Sequence, residues 1–286
     1  MHVLIAESES AEEREHRRES VGKSSGESFE ATLLQLVPGI RCTRVTPADE
    51  GSPRYDPAQI ERFDAVILTG APLHVYADSP EVRRELAFMR AVFDSGTPSF
   101  GSCAGLQVAV AAAGGTVRRM DGKEAGVARR IVPTLEGRDH PLLAGRGPAW
   151  DAPAVHNDEV EQLPPGAVLL ATNSVTRVQA VEIRHGAGVF WGVQYHPELS
   201  LAEIAAALRR QAGDLVEKGL ALTTAAVEEQ ADLFDALDSD PDRRDLHWRL
   251  GVDDELAEEG RRRTELANFF AHLVAPTRRA RGRTGE

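Results

Sequence analysis

The segment Phe100-Gly101-Ser102-Cys103-Ala104-Gly105-Leu106-Gln107 constrains this chain more than any other. Residues 97–100 read as the end of a short buried strand, and residues 104–113, rich in small apolar side chains, read as a helix. Cys103 therefore falls on a strand-to-helix turn with a glycine two residues away on either side. That is the spacing of a nucleophile elbow. Neither glycine carries a Cβ, so strand and helix can approach closely. The turn projects the thiol out of the sheet, and the helix N-terminus beneath it favours the thiolate. Taken alone, a single cysteine is more often a small buried hydrophobe. The rest of the chain decides between the two.

An elbow needs a parallel sheet around it, and the flanking sequence supplies one. Residues 3–6 are a short apolar run of the kind buried in parallel strands, residues 64–68 read as a strong strand, and residues 41–45 are a further strand candidate. Helices alternate with them. Residues 28–36 place Phe29, Leu33 and Leu36 on one face. Ser79 caps a helix with Pro80 at its first position and Val82, Leu86, Met89 and Phe93 on its apolar side. The pattern predicts an α/β fold, an open and mostly parallel sheet with helices on both faces. Residues 8–27 hold almost no large apolar side chain and read as a solvated helix or a mobile loop. Beyond residue 116 the strands shorten, and prolines punctuate them; residues 200–210 read as a closing helix.

Composition narrows the function. The 286 residues are 42% hydrophobic, enough for a sizeable core, and the net charge of −12 argues against nonspecific nucleic-acid binding. No apolar run approaches the roughly 18 residues of a membrane span. The first residues read as a strand rather than a signal peptide. Two cysteines, Cys42 and Cys103, form no disulfide framework, so the expected compartment is a reducing cytoplasm.

A thiol nucleophile needs a base, and the base needs an orienting group. Gly192-Val193-Gln194-Tyr195-His196-Pro197-Glu198 offers both. His196 follows the end of a strand, Pro197 breaks regular structure, and Glu198 is placed to reach the second ring nitrogen. Together with the elbow and with Leu68-Thr69-Gly70-Ala71-Pro72, this segment resembles the class I (Cys-His-Glu triad) glutamine amidotransferases, in the family's order along the chain. The resemblance covers about residues 1–210. It looks closest to the glutaminase half of GMP synthetase and to stand-alone relatives.

The resemblance implies a flavodoxin-like fold and a reaction. Cys103 attacks the γ-carboxamide of glutamine, His196 relays the proton to the departing ammonia, Glu198 orients His196, and water hydrolyses a γ-glutamyl thioester. The oxyanion donors are implied to be the backbone N–H groups of Ala104 and of Ala71 or Gly70. Here the chain departs from the family's usual Gly-Gly-Pro, and Ala71 brings a Cβ to a turn that elsewhere has none. Gln107, one helical turn beyond Cys103, is implied to hold the glutamine moiety. Val155-His156-Asn157-Asp158 resembles the substrate-lining His-Gly-Asp stretch, which carries over His156 and Asp158; its alternative is a solvated polar turn. His74 and Tyr76, after the oxyanion turn, are within reach of the same pocket. No cluster has metal-ligand spacing, and no cofactor is implied.

Three functions compete. The first is a glutaminase subunit that passes ammonia to a separate synthetase, since the chain contains no ATP-binding loop or synthetase domain. The second is a free-standing hydrolase of a substituted γ-glutamyl amide. The third is a non-catalytic binding or regulatory protein, which would have no need of all three triad groups. The expected organisation is a catalytic domain over 1–212, a helical extension over 213–275 and a disordered tail over 276–286. In the extension Val227, Phe234 and Leu237 form one apolar stripe, and Leu266, Phe269, Phe270 and Leu273 another. So few apolar residues need a surface to cover, either the catalytic domain or a second copy of the chain.

Overall fold

Nine strands form one mixed sheet in a computed structural model that describes residues 1–283. The strands are β1 (His2–Ala6), β2 (Arg41–Val45), β3 (Ala65–Leu68), β4 (Ser99–Ser102), β5 (Thr116–Pro133), β6 (Trp150–Gln162), β7 (Ala167–Thr172), β8 (Ala180–His185) and β9 (Gly188–Val193). Their order is β2-β1-β3-β4-β9-β8-β7-β5-β6. The first five in that order pair in parallel, and from β9 to β6 every pairing is antiparallel. The architecture is the α/β sheet that the alternating pattern predicted.

Side-chain alternation along β1 and β3 sends residues to two different cores. Val3, Ile5, Ala65 and Ile67 join Phe29 and Leu33 on one face. Leu4, Ala6, Val66 and Leu68 join Phe88, Met89, Val92 and Phe93 on the other. Both faces are covered, which is why residues 3–6 and 65–68 are apolar at every position. Along the chain the first helices are α1 (Ala11–Val21), α2 (Ser25–Leu36), α3 (Pro57–Ile60), α4 (Pro80–Ser95) and α5 (Ala104–Ala112). Of these, α2 covers the first face and α3, α4 and α5 the second, while α1 adds no residue to either core.

Residues 8–27 resolve into a helix rather than a loop. A capping box between Ser10 and Glu13 starts α1, and Gly22 at φ 81° ends it. Its only buried residue is Arg14, so ion pairs hold it in place of a core: Arg14 to Asp49 at 2.5 Å and Arg17 to Glu203 at 3.1 Å. A second capping box, Ser24 with Glu27, starts α2 at Ser25, three residues earlier than its apolar stripe implied.

The antiparallel half differs from the expectation of several short strands. β5 is one long strand with three register shifts against β6. The stretch containing His156 and Asp158 lies in β6, so it is a strand and not a polar turn.

The remaining helices are α6 (Leu135–Arg138), α7 (Leu201–Arg210), α8 (Ala212–Glu217), α9 (Thr224–Ser239), α10 (Arg244–Leu250), α11 (Asp254–Ala257), α12 (Glu259–Arg262), α13 (Thr264–Phe269) and α14 (Ala275–Ala280), with a π-helical turn at Phe270–Val274. Both predicted stripes are buried against the rest of this same chain. Val227, Phe234 and Leu237 of α9 pack on Leu201, Ile204 and Leu208 of α7. Leu266, Phe269 and Phe270 complete the first sheet face together with Val274, while the predicted Leu273 is only partly buried there. The tail corrects the expectation of disorder over its described part. Residues 275–280 are helical, and Arg278 and Arg283 pair with Asp64 at 3.1 and 3.3 Å. Residues 284–286 of that expected tail lie outside the described residues. Among the described residues no helix is long and apolar enough to cross a membrane.

Candidate active site

Cys103 stands at the N-cap of α5 with φ 51° and ψ −111°, a backbone conformation that residues with a Cβ rarely adopt. The strain is held by its surroundings. The Cys103 N–H donates to the Val193 carbonyl at 2.9 Å, tying the elbow to the end of β9. The flanking glycines are required for space. A Cβ on Gly105 would sit 2.4 Å from the Leu68 carbonyl oxygen, and one on Gly101 would sit 2.7 Å from the Gly105 carbonyl carbon. Cys42, the other thiol, lies on β2. Burial, with Glu30 nearby, pushes it up to about 11, the opposite of what a nucleophile needs.

His196 follows β9 and comes to Cys103 from the neighbouring strand. Its Nδ1 donates to Glu198 Oε1 at 2.7 Å. The same oxygen accepts from Ser102 Oγ at 3.0 Å. The His196 N–H donates to the Pro153 carbonyl at 2.7 Å, which fixes the loop against β6. Burial alone would disfavour the imidazolium; the charges of Glu198 and Cys103 outweigh it and raise the His196 pKa to about 10. The three groups read from two separate motifs therefore meet at one point. Ser102 escaped the sequence reading because its partner lies 96 residues away and nothing local marks it.

The turn after β3 closes the other side. A Cβ on Gly70 would fall 2.6 Å from His196 Cε1 and 3.5 Å from Cys103 Cβ. Glycine is thus required at position 70. It is not required at 71, because the only non-glycine residues with positive φ among those described are Cys103 and Arg130. The departure from Gly-Gly-Pro costs the turn nothing. Among the described residues, neither the Ala71 nor the Ala104 N–H is taken by an acceptor outside regular structure.

These groups open into a cavity of about 620 Å³. Gln107, His156, Asp158 and His74 line it, and each is already engaged by protein. Gln107 Nε2 donates to the Asp158 carbonyl and to Gln194 Oε1, both at 3.1 Å. His156 holds the Asp158 carbonyl at 3.0 Å through Nδ1 and Glu124 at 2.8 Å through Nε2. Asp158 holds His74 Nδ1 at 2.7 Å and the Tyr76 hydroxyl at 3.3 Å. Tyr76 itself is half exposed, does not line the cavity and meets the site through Asp158 and through His74 Nδ1 at 3.2 Å. Of the far walls, residues 8–27 follow the C-terminal end of β1 and so were expected from sequence as a lid, a partner contact, a pocket wall for a larger amide substituent or a surface loop; the α7–α8 wall was not assigned. Glu9, Glu13, His16 and Arg17 come from α1 and the turn before it, and Arg210, Gln211 and Asp214 from the α7–α8 region.

Comparison with known proteins adds to this geometry. A sequence model described as glutamine amidotransferase class-I matches residues 25–212. A γ-glutamyl-L-1-hydroxyisopropylamide hydrolase from Pseudomonas sp is 37% identical over 284 residues, covering 97% of this chain and 94% of that protein. A glutamine-hydrolysing GMP synthase from Xanthomonas axonopodis pv. citri is 33% identical over 153 residues, 51% of this chain but only 27% of the synthase. Among solved structures, a glutamine amidotransferase from Thermotoga maritima superposes with a TM-score of 0.64 at 17% identity, over 94% of this chain and 98% of that one. That last likeness speaks to the fold alone.

Proposed function

Because the chain belongs to the class I glutamine amidotransferase family, we propose that it hydrolyses a γ-glutamyl amide whose nitrogen carries an organic substituent, through a thioester on Cys103. In this reading the Cys103 thiolate attacks the γ-carbonyl carbon. The oxyanion is met by the N–H groups of Ala71 and Ala104; one such donor is typically worth about 10²–10³ in rate. His196, held by Glu198, gives its proton to the departing amine. It then takes a proton from the water that attacks the thioester, and glutamate leaves.

The observation that carries the substituted amide is the extent of the cavity. It runs past the triad to α1 and α7–α8, space that an ammonia leaving group does not use. The Pseudomonas relative matches over 97% of this chain, whereas the GMP synthase match covers 51% of it. Gln107, His156 and Asp158 lie toward α5 and β6, and we assign that side to the γ-glutamyl group. Hydrolysis of glutamine itself, with ammonia passed to a separate synthetase, is the second reading, favoured by the GMP synthase match.

Steady-state hydrolysis by the purified chain separates the two. The panel is glutamine beside γ-glutamyl ethylamide, isopropylamide and an amino-alcohol amide. The expected result is a kcat/KM for at least one substituted amide about tenfold or more above that for glutamine, a difference of ~1.4 kcal/mol. Glutamine turned over faster than every substituted amide would overturn the first reading in favour of the second.

A further inference from the structure

We infer that the C-terminal helices position His196 from beneath the sheet, and that the buried pair Arg146–Glu265 is the contact through which they do so. The inference rests on the triad reading above.

Tyr195 precedes His196 on the bend that follows β9, and the two side chains go to opposite sides of the sheet. His196 lines the cavity, while Tyr195 is fully buried in the first core with Trp150, Leu266, Phe269 and Phe270. The Tyr195 hydroxyl lies among Glu265, Arg146 and Trp150 and makes no hydrogen bond of regular geometry. Glu265, on α13, is fully buried. Arg146 grips it with two parallel bonds, Nε to Oε1 and Nη2 to Oε2, each 2.7 Å. A third bond, Nη1 to Glu255 Oε2 at 2.7 Å, reaches α11. The guanidinium lies 5.5 Å above the Trp150 ring. Trp150 opens β6, and three residues later Pro153 accepts the His196 N–H. The backbone of His196 is thus braced through Tyr195 and through β6, and both supports rest on the same ion pair.

The aromatic packing points the same way. Phe269 stands 5.5 Å from Phe100 and 6.3 Å from Trp191, ring centre to ring centre. Those two residues belong to β4 and β9, the strands that deliver Cys103 and His196. A dry bidentate ion pair is a poor source of stability, because desolvating two charges offsets their attraction. Fixing one geometry is the use that suits it here. Glu265 is therefore a positioning residue, acting on the reaction only through Tyr195 and His196.

The test uses the full chain and its best amide substrate. In the double variant Arg146→Met with Glu265→Leu the charges are replaced by apolar groups of similar volume. The expected result is a melting temperature close to that of the parent, a kcat lower by about tenfold and a KM within about twofold, as for a displaced catalytic group. Leu266→Ala, beside the pair but uncharged, should lower the melting temperature and leave kcat within about twofold. If the double variant does not fold, Glu265→Gln carries the same kcat test. Parent-like kcat in a folded pair variant, or an equal kcat loss in Leu266→Ala, overturns the inference. Loss of the triad reading would look different: His196→Ala would then remain active.

Discussion

At Gly70 the backbone runs so close to His196 that the glycine hydrogen occupies the only space left. A methyl group there would lie 2.6 Å from the imidazole Cε1, well inside contact distance, so the ring must turn away from Cys103. Gly70→Ala should cost about 10²-fold or more in kcat with the fold intact, since small misplacements of a catalytic group are that expensive. Ala71→Gly should change kcat by less than about threefold, because position 71 has no positive φ for glycine to relieve. Steady-state rates with circular dichroism on both variants check this; equal effects at the two positions would mean that the turn is read wrongly. At this scale local motifs were enough to single out Cys103, His196 and Glu198 as candidates, and the fold brings the three together. The sequence was silent on Ser102, whose hydroxyl matters only once β4 and the loop after β9 are side by side.

Among the elements, α4 shows how periodicity can be legible and still hide a charge. Its apolar stripe was read from Val82, Leu86, Met89 and Phe93; all but the partly buried Leu86 are buried. The same face also carries Glu85, wholly buried, its two oxygens without a hydrogen bond of regular geometry. Burial raises its carboxyl to about 8, although Ser8 and the Ala48 backbone pull the other way. From pH ~4.5 to ~8 the unfolded chain therefore ionises Glu85 while the folded chain keeps it protonated. The folded state binds more protons, so stability falls as pH rises through that window and levels off above it. Glu85→Gln removes the ionisation. Its stability relative to the parent should rise on going from about pH 5 to about pH 8, by an amount on the order of a few kcal/mol. Urea titrations at the two pH values measure this, and a constant offset between the two proteins would contradict it. Other elements were harder to read. β6 is interrupted in sequence by Pro153 and by the polar run Asn157-Asp158-Glu159, so its strand character emerges only from pairing with β5. α1 has almost no core face, and its place is set by partners such as Asp49 and Glu203 far away in the chain.

For the whole molecule, the boundary drawn near residue 212 separates segments that share cores. Leu266, Phe269, Phe270 and Val274 sit in one cluster with Val3, Ile67 and Phe100, and α9 shares another with α7. We regard the chain as one folding unit in which the extension completes the sheet face beneath the elbow. The order of the motifs made the catalytic fold legible; the docking of the extension was not, because sparse apolar stripes announce burial without naming the surface they cover. The account as a whole stands on a covalent intermediate at one thiol. The direct measurement is peptide mass spectrometry after rapid acid quench of the chain turning over its best γ-glutamyl amide. The account predicts one γ-glutamyl adduct, on the peptide holding Cys103, with no adduct and no turnover in Cys103→Ala. Turnover by Cys103→Ala, or an adduct on the Cys42 peptide in its place, would contradict it.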